Sequence, residues 1–129
     1  MLISTDEIRK ELSPDGEYVH NQETNARVFE IFNTRLAIRL IQRMDVIADA
    51  TNLPPKRRRD VLEVGREKGC QIHAIVFTNV EQAILRNHAR VGPTRVPDEQ
   101  MLGFVSLFEQ ARQDILEEGF DSITYIEGT

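Results

Sequence analysis

An aspartate and an arginine three positions apart, Asp6 and Arg9, stand near the start in Ser4-Thr5-Asp6-Glu7-Ile8-Arg9. On a starting helix this spacing puts both side chains on one face, where a carboxylate base can sit beside a phosphate clamp. From the residues alone Asp6 reads first as a helix N-cap, with Ser4 and Thr5 competing for that place. A second group, Asp49, Thr51 and Asn52, follows the apolar run Val46-Ile47-Ala48. In open α/β sheets the carboxyl ends of the strands face the ligand crevice, where Asp49 can position an acceptor or a metal's water shell. Thr51 and Asn52 can hydrogen-bond an acceptor there; equally, these residue types build a turn and cap the next helix. Arg86 and Arg90, four apart, stack on one face of a helix, and Arg95 follows the break Val91-Gly92-Pro93. Charge spreads over the equatorial oxygens of a migrating phosphoryl group, so clustered guanidinium groups suit phosphoryl transfer. Ion pairing with Glu81 or Asp98 is the competing role.

Lys56-Arg57-Arg58-Arg59 occupies consecutive positions at the start of a helix, so it spreads around the first turn. At least two of the four are expected in solvent. One or two, Arg57 among them, can meet the phosphates of a nucleic-acid backbone.

These groups need a scaffold, and the chain alternates short apolar strands with long helices, an α/β pattern. Leu2-Ile3 reads as a stub of strand, Asp6 to Leu12 as a short helix, and Ser13-Pro14-Asp15-Gly16 as a turn. Asn21 to Arg43 is a long amphipathic helix in which Val28, Phe32, Leu36 and Leu40 recur every four residues. Val46-Ile47 begin a strand. Pro54-Pro55 sit where a helix can start, so Lys56 to Lys68 reads as the next helix, closed by Gly69. Gln71 to Phe77 is a nearly continuous apolar strand of the kind buried on both faces of a parallel sheet. Val80 to Ala89 and Pro97 to Glu118 read as helices and Ser122 to Ile126 as a last strand.

With 129 residues, 40% hydrophobic and 29% charged, the chain is expected to form a single domain, 1–129, with a real core. No apolar stretch approaches the roughly 18 residues that cross a bilayer, and the start lacks the pattern of a signal peptide. A cytoplasmic location without membrane contact is the expectation, and the lone Cys70 suits a reducing compartment as a small buried residue. A net charge of −5 argues against a nucleic-acid partner on average, yet thirteen of the sixteen basic residues are arginines, with groups at 35–43, 57–59 and 86–95. An acidic protein can therefore carry a local phosphate-binding cleft. His20, His73 and His88 have no metal-ligand spacing, and no metal site is expected. His73 reads as a hydrogen-bonded core histidine, and Phe29, Phe32, Phe104 and Phe108 as core packing.

Three of these features, Asp6 with Arg9, Asp49-Ala50-Thr51-Asn52-Leu53 followed by Lys56-Arg57-Arg58-Arg59, and Leu85-Arg86-Asn87-His88-Ala89-Arg90, together resemble the polynucleotide 5′-kinase family of P-loop kinases. The resemblance spans Leu2 to Ile126. It implies a three-layer fold, a parallel sheet flanked by helices, and transfer of the ATP γ-phosphate, with Mg²⁺, to a 5′-hydroxyl nucleic-acid end. It makes Asp6 the general base, Arg9 the acceptor clamp, Asp49, Thr51 and Asn52 the acceptor pocket, and Arg86 and Arg90 catalytic arginines of a lid over 86–97. Arg95 and Arg57 would add phosphate contacts.

The family's first strand and its G-x-x-x-x-G-K-[ST] phosphate loop have no counterpart in the 129 residues. In the family that strand lies in the middle of the sheet, between the strands matching Val46–Asp49 and Gln71–Phe77. Its slot is expected to be closed or filled, by a second copy of the chain or a partner. Three readings stay open: a piece of a longer kinase, half of a split enzyme, or a descendant that keeps only binding, as an interaction or nucleic-acid-end-binding module. A small-molecule P-loop kinase is a further alternative.

Overall fold

The structure, a computed structural model, describes residues 1–13, 15, 21–91 and 95–127. The turn at Ser13 to Gly16 (at residues 14 and 16), His20 and the Gly92-Pro93 break lie outside the described residues. The elements follow the order β1 (Leu2–Ser4), α1 (Thr5–Leu12), α2 (Gln22–Ile41), β2 (Ile47–Asp49), α3 (Pro55–Glu67), β3 (His73–Phe77), α4 (Val80–Ala89), α5 (Asp98–Asp114) and β4 (Ser122–Ile126). A 3₁₀ turn, Ile115–Glu117, extends α5. They gather into two compact units, Met1–Asn52 with Val91–Arg95, and Leu53–Arg90 with Val96–Thr129.

In the first unit β1 and β2 pair in parallel, Leu2 opposite Ile47 and Ser4 opposite Asp49, with α1 and α2 as the crossover. Helix α2 starts where a reciprocal capping box forms: the Asn21 side chain accepts from the Thr24 amide, and the Asn21 amide donates to Thr24 Oγ1. The four-residue spacing read from the sequence delivers Val28, Phe32 and Leu36 to the interior, beside Ile3, Ile8 and Phe29. Phe29 and Phe32 meet edge to face at 6.0 Å between centroids. Each fully buried side chain here, Phe32, Ile8 and Val28, contributes roughly 1.5–3 kcal/mol through loss of apolar surface from water.

In the second unit β3 and β4 pair in parallel over five residues, from His73 opposite Ser122 to Phe77 opposite Ile126, with α4 and α5 between them. The start of that pair is locked by Asp121, whose amide donates to the Ile72 carbonyl at 2.8 Å while its Oδ2 accepts from the Ile72 amide at 2.6 Å. Helix α3 has Pro55 at its first position, where the missing N–H costs nothing. It ends in a Schellman motif: Cys70 N donates to Gly65 O, Gly69 N donates to Arg66 O, and Gly69 has φ +71°. At Gly65 an added Cβ would lie 2.6 Å from Ile72 Cδ1, so the absent side chain lets the helix lie against the chain entering β3.

The α/β reading holds, but the strands form two separate two-stranded parallel sheets, not one. Among the described residues the strand that the resemblance sets between β2 and β3 has no counterpart, and neither strand has a second hydrogen-bonded neighbour. Expected burial on both faces of β3 is not found either. His73, Ile75 and Phe77 are exposed and only the alternate residues turn inward, because a two-stranded sheet here has one face packed. His73 is accordingly an exposed histidine, hydrogen-bonded through Nδ1 to Ser122 Oγ at 2.6 Å. Cys70, Phe104 and Phe108 are half-buried. Among the described residues no helix is long and apolar enough to cross a membrane.

Candidate functional site

At the carboxyl end of β1 the chain turns directly into α1, and Ser4, not Asp6, is the cap: its side chain accepts from the Glu7 amide at 3.4 Å. Asp6 thereby falls in the first turn of the helix, where a carboxylate is favoured by the exposed N–H groups. Its Oδ1 lies 3.4 Å from Arg9 Nη1, the one-face pairing expected from the spacing. The Asp6 carboxylate is about one-third exposed and the Arg9 side chain only 16%. Arg9 reaches further than its own helix, donating from Nη2 to Asn25 Oδ1 on α2 at 3.1 Å. Its Nε is buried without a hydrogen-bond partner among the described residues. A buried orphan donor costs about 1–3 kcal/mol, so this guanidinium is held in place but not saturated.

Asp49 ends β2 directly across from Ser4, so the register brings the carboxyl ends of β1 and β2, and with them Asp6 and Asp49, to the same edge of this sheet. Asp49 and Thr51 are exposed. Asn52 takes a left-handed conformation, φ 52°, and its Nδ2 donates to the carbonyls of Ala48 and Ala50 at 3.4 and 3.3 Å. Asparagine tolerates this conformation better than most residues, and here its amide builds the turn. The helix-capping half of that alternative does not occur, since α3 is preceded by Pro54 with no side-chain cap.

The four consecutive bases at the start of α3 divide as a helix demands. Lys56 pairs with Asp60 at 3.1 Å near the surface, and Arg59 is exposed. Arg58 is buried at 4% and forks onto Glu118, Nε to Oε1 at 2.6 Å and Nη2 to Oε2 at 2.9 Å, while Nη1 donates to the Leu53 carbonyl at 2.6 Å. It is a structural tie within the second unit. Arg57 is half-buried, and that burial pulls its guanidinium below the ordinary arginine range, against the opposing pull of Asp60. A phosphate beside it would offset the lost hydration.

Arg86 is exposed near the end of α4. Arg90 is also exposed but is the C-cap, with extended backbone at ψ 151°, so the two arginines do not both belong to the helix body. Arg95 is exposed as well and belongs to the first unit, whereas Arg57, Arg86 and Arg90 belong to the second. The ion-pair alternative is met at a neighbour: Asp98 lies 3.7 Å from His88 Nδ1, a contact that attracts only when the imidazole is protonated. Two polar residues emerge that the sequence did not single out, Asn25 beside Arg9 and Asn87 between the arginines. Asn25 carries no local signal, since its partner is sixteen residues away. Asn87 had one: it is the polar residue inside the Leu-Arg-Asn-x-x-Arg motif.

The comparison with known families fits this arrangement. The AAA domain family matches residues 1–111, and the chain belongs to it, a family of P-loop NTPase-like kinases with nucleotide-binding phosphotransferase chemistry. No curated protein matches the chain closely enough to count as a relative. The family generally binds ATP with Mg²⁺. The residues in hand do not by themselves fit that pair: the sequence has no glycine-rich phosphate loop, and among the described residues no three His, Cys, Asp or Glu side chains cluster to hold a metal.

Proposed function

We propose that this member of the AAA domain family is the acceptor-binding and arginine-bearing part of a polynucleotide 5′-kinase. The supporting observation is the state of Arg9. It is anchored by a neutral amide, paired to Asp6 at a long 3.4 Å, and left with an Nε unpartnered among the described residues. Such a guanidinium is oriented by two partners, only one of them charged and that one at long range, which suits its outer nitrogens to an acceptor phosphate. Asp6, half-buried beside it at the end of β1, takes the proton of the 5′-hydroxyl. Asp49 and Thr51 flank the acceptor, and Arg57, Arg86, Arg90 and Arg95 bind phosphate oxygens. The phosphate cradle comes from a segment outside these 129 residues, in the same chain or in a second one.

Binding without catalysis is the second reading, favoured by the absence of a phosphate loop from the sequence. The test is titration of the 129-residue chain with a fluorescent 5′-hydroxyl oligonucleotide, competed by its 5′-phosphorylated form and by free nucleosides. Preference for the 5′-hydroxyl end, lost about tenfold or more in Arg9→Ala as expected for a charge-assisted hydrogen bond, supports the proposal. Equal binding by Arg9→Ala, or competition by free nucleosides as strong as by the oligonucleotide, overturns the polynucleotide assignment. Radiolabel transfer from ATP separates the two readings. It is expected only once a phosphate-loop segment is supplied, and its failure in that complete assembly leaves the binding module.

A further inference from the structure

Asn87 is 3% exposed although its neighbours Arg86 and His88 are both exposed. Burying a primary amide is unfavourable unless both of its ends are hydrogen-bonded. Both are. Nδ2 donates to the Val96 carbonyl at 2.7 Å, and Oδ1 accepts from the Val96 amide at 2.7 Å. The carboxamide presents the same donor and acceptor pair as a peptide unit, so it pairs with the main chain of residue 96 as a neighbouring strand would. Two short bonds fix distance and orientation together. The Asn87 main chain takes part as well, its carbonyl accepting from the Arg90 amide at 3.1 Å where α4 ends.

Two arginines of this unit therefore adjoin a group that Asn87 holds: Arg86 precedes it in the helix, and Arg90 is bonded to its carbonyl. Arginine loses much side-chain entropy on binding an anion, and a backbone already fixed at these points reduces what else must be ordered. We infer that Asn87 is a positioning residue, a two-point clamp between residues 87 and 96 that holds the backbone carrying Arg86 and Arg90 ready for a polyphosphate. This rests on the reading of those arginines as phosphate-binding.

No other side chain of similar reach reproduces the clamp. Aspartate keeps the acceptor for the Val96 amide but sets an oxygen against the Val96 carbonyl, and alanine leaves both main-chain groups without a partner. Inorganic tripolyphosphate is the probe, titrated into the 129-residue chain and its Asn87→Ala, Asn87→Asp, Arg86→Ala and Asn87→Asp/Arg86→Ala variants, with hydrogen exchange of the Val96 amide followed in parallel. Loss of the donor to the Val96 carbonyl in Asn87→Asp should weaken tripolyphosphate binding by roughly tenfold, and loss of the acceptor for the Val96 amide in Asn87→Ala should speed its exchange by a similar factor. The effect of Arg86→Ala should shrink in the Asn87→Asp background, a coupling that a merely structural asparagine would not produce. If Asn87→Ala does not fold, Asn87→Asp carries the test.

Faster Val96 exchange with unchanged tripolyphosphate affinity, while Arg86→Ala still weakens binding, overturns the clamp and leaves the arginine reading standing. Unchanged affinity in Arg86→Ala, or no binding by the parent chain, overturns both. Additive losses in the double variant also overturn the positioning role.

Discussion

The two units of this chain are held together by different physics. Around α1 and α2 the interior is apolar, with Ile3, Ile8, Val28, Phe29, Phe32 and Leu36 buried, although Ile38, Ile41 and Ile47 are exposed. In the second unit the buried apolar side chains among the described residues are Leu62, Ala111 and Ile115, while Ile75, Phe77, Leu85, Leu102 and Leu116 are exposed. Polar ties stand out there: Arg58 on Glu118 and Leu53, Arg66 Nη2 on the carbonyls of Glu118 and Gly119, Asn87 on Val96, and Asp121 on Ile72. Apolar burial is non-directional and tolerates small shifts, whereas each polar tie specifies one geometry and is costly to break on one side only. The same contrast separates the candidate site residues: Asp6 and Arg9 stand on a packed helix, and Arg86 and Arg90 beside an amide clamp.

If apolar packing holds the first unit, Phe32→Ala should be the most damaging single change, costing about 3–5 kcal/mol. Thermal denaturation with limited proteolysis of the α1–α2 region checks it, and a loss below about 1 kcal/mol would break the comparison at its stronger side. Next in size is Arg58→Ala. It strands Glu118 with no guanidinium and should cost about 3 kcal/mol, measured by chemical denaturation. Replacing both partners, Arg58→Met with Glu118→Leu, should recover most of that loss, because the cost lies in the uncompensated charge. Failure of the pair to recover would mean that the bond to the Leu53 carbonyl matters more than the ion pair.

The smallest effect is expected at Glu11 and Arg35, a polar tie of the first unit that lies at the surface, 2.6 Å apart with both side chains well exposed. The hydrogen bond from Arg35 draws the Glu11 carboxyl below its ordinary value of 4.5, more than its slight burial raises it. A depressed folded-state value means the contribution is present above that ordinary value and is lost as the pH falls through the lowered one. Solvent screening limits it to about 0.5 kcal/mol or less, so Glu11→Gln should leave the melting temperature at pH 7 almost unchanged. The small difference should vanish in melts run well below pH 4.5. A large effect would show that surface ties also matter in the first unit and would narrow the contrast.

Much of the scaffold was legible because its signals are local. The four-residue apolar spacing of α2, Pro55 at the first position of α3, and Gly69 after its last turn each act within a few residues of themselves. The proximity of Asp6 and Arg9 follows for the same reason, from helical spacing. The role of Asp6 was harder, because Ser4, Thr5 and Asp6 are all competent caps and only the backbone angles at Ser4 decide among them.

What the sequence by itself determined is therefore the set of elements, the broad P-loop kinase-like family, and the identity of the charged side chains placed near strand and helix ends. Tertiary structure alone decided which charges are structural. Arg58 and Arg59 are adjacent and chemically identical, yet one is buried against a carboxylate sixty residues away and the other lies in solvent. The exposed face of β3 and the Asn87 clamp belong to the same class. Each depends on a partner that arrives only when distant segments pack, and no rule of local spacing encodes the distance between them.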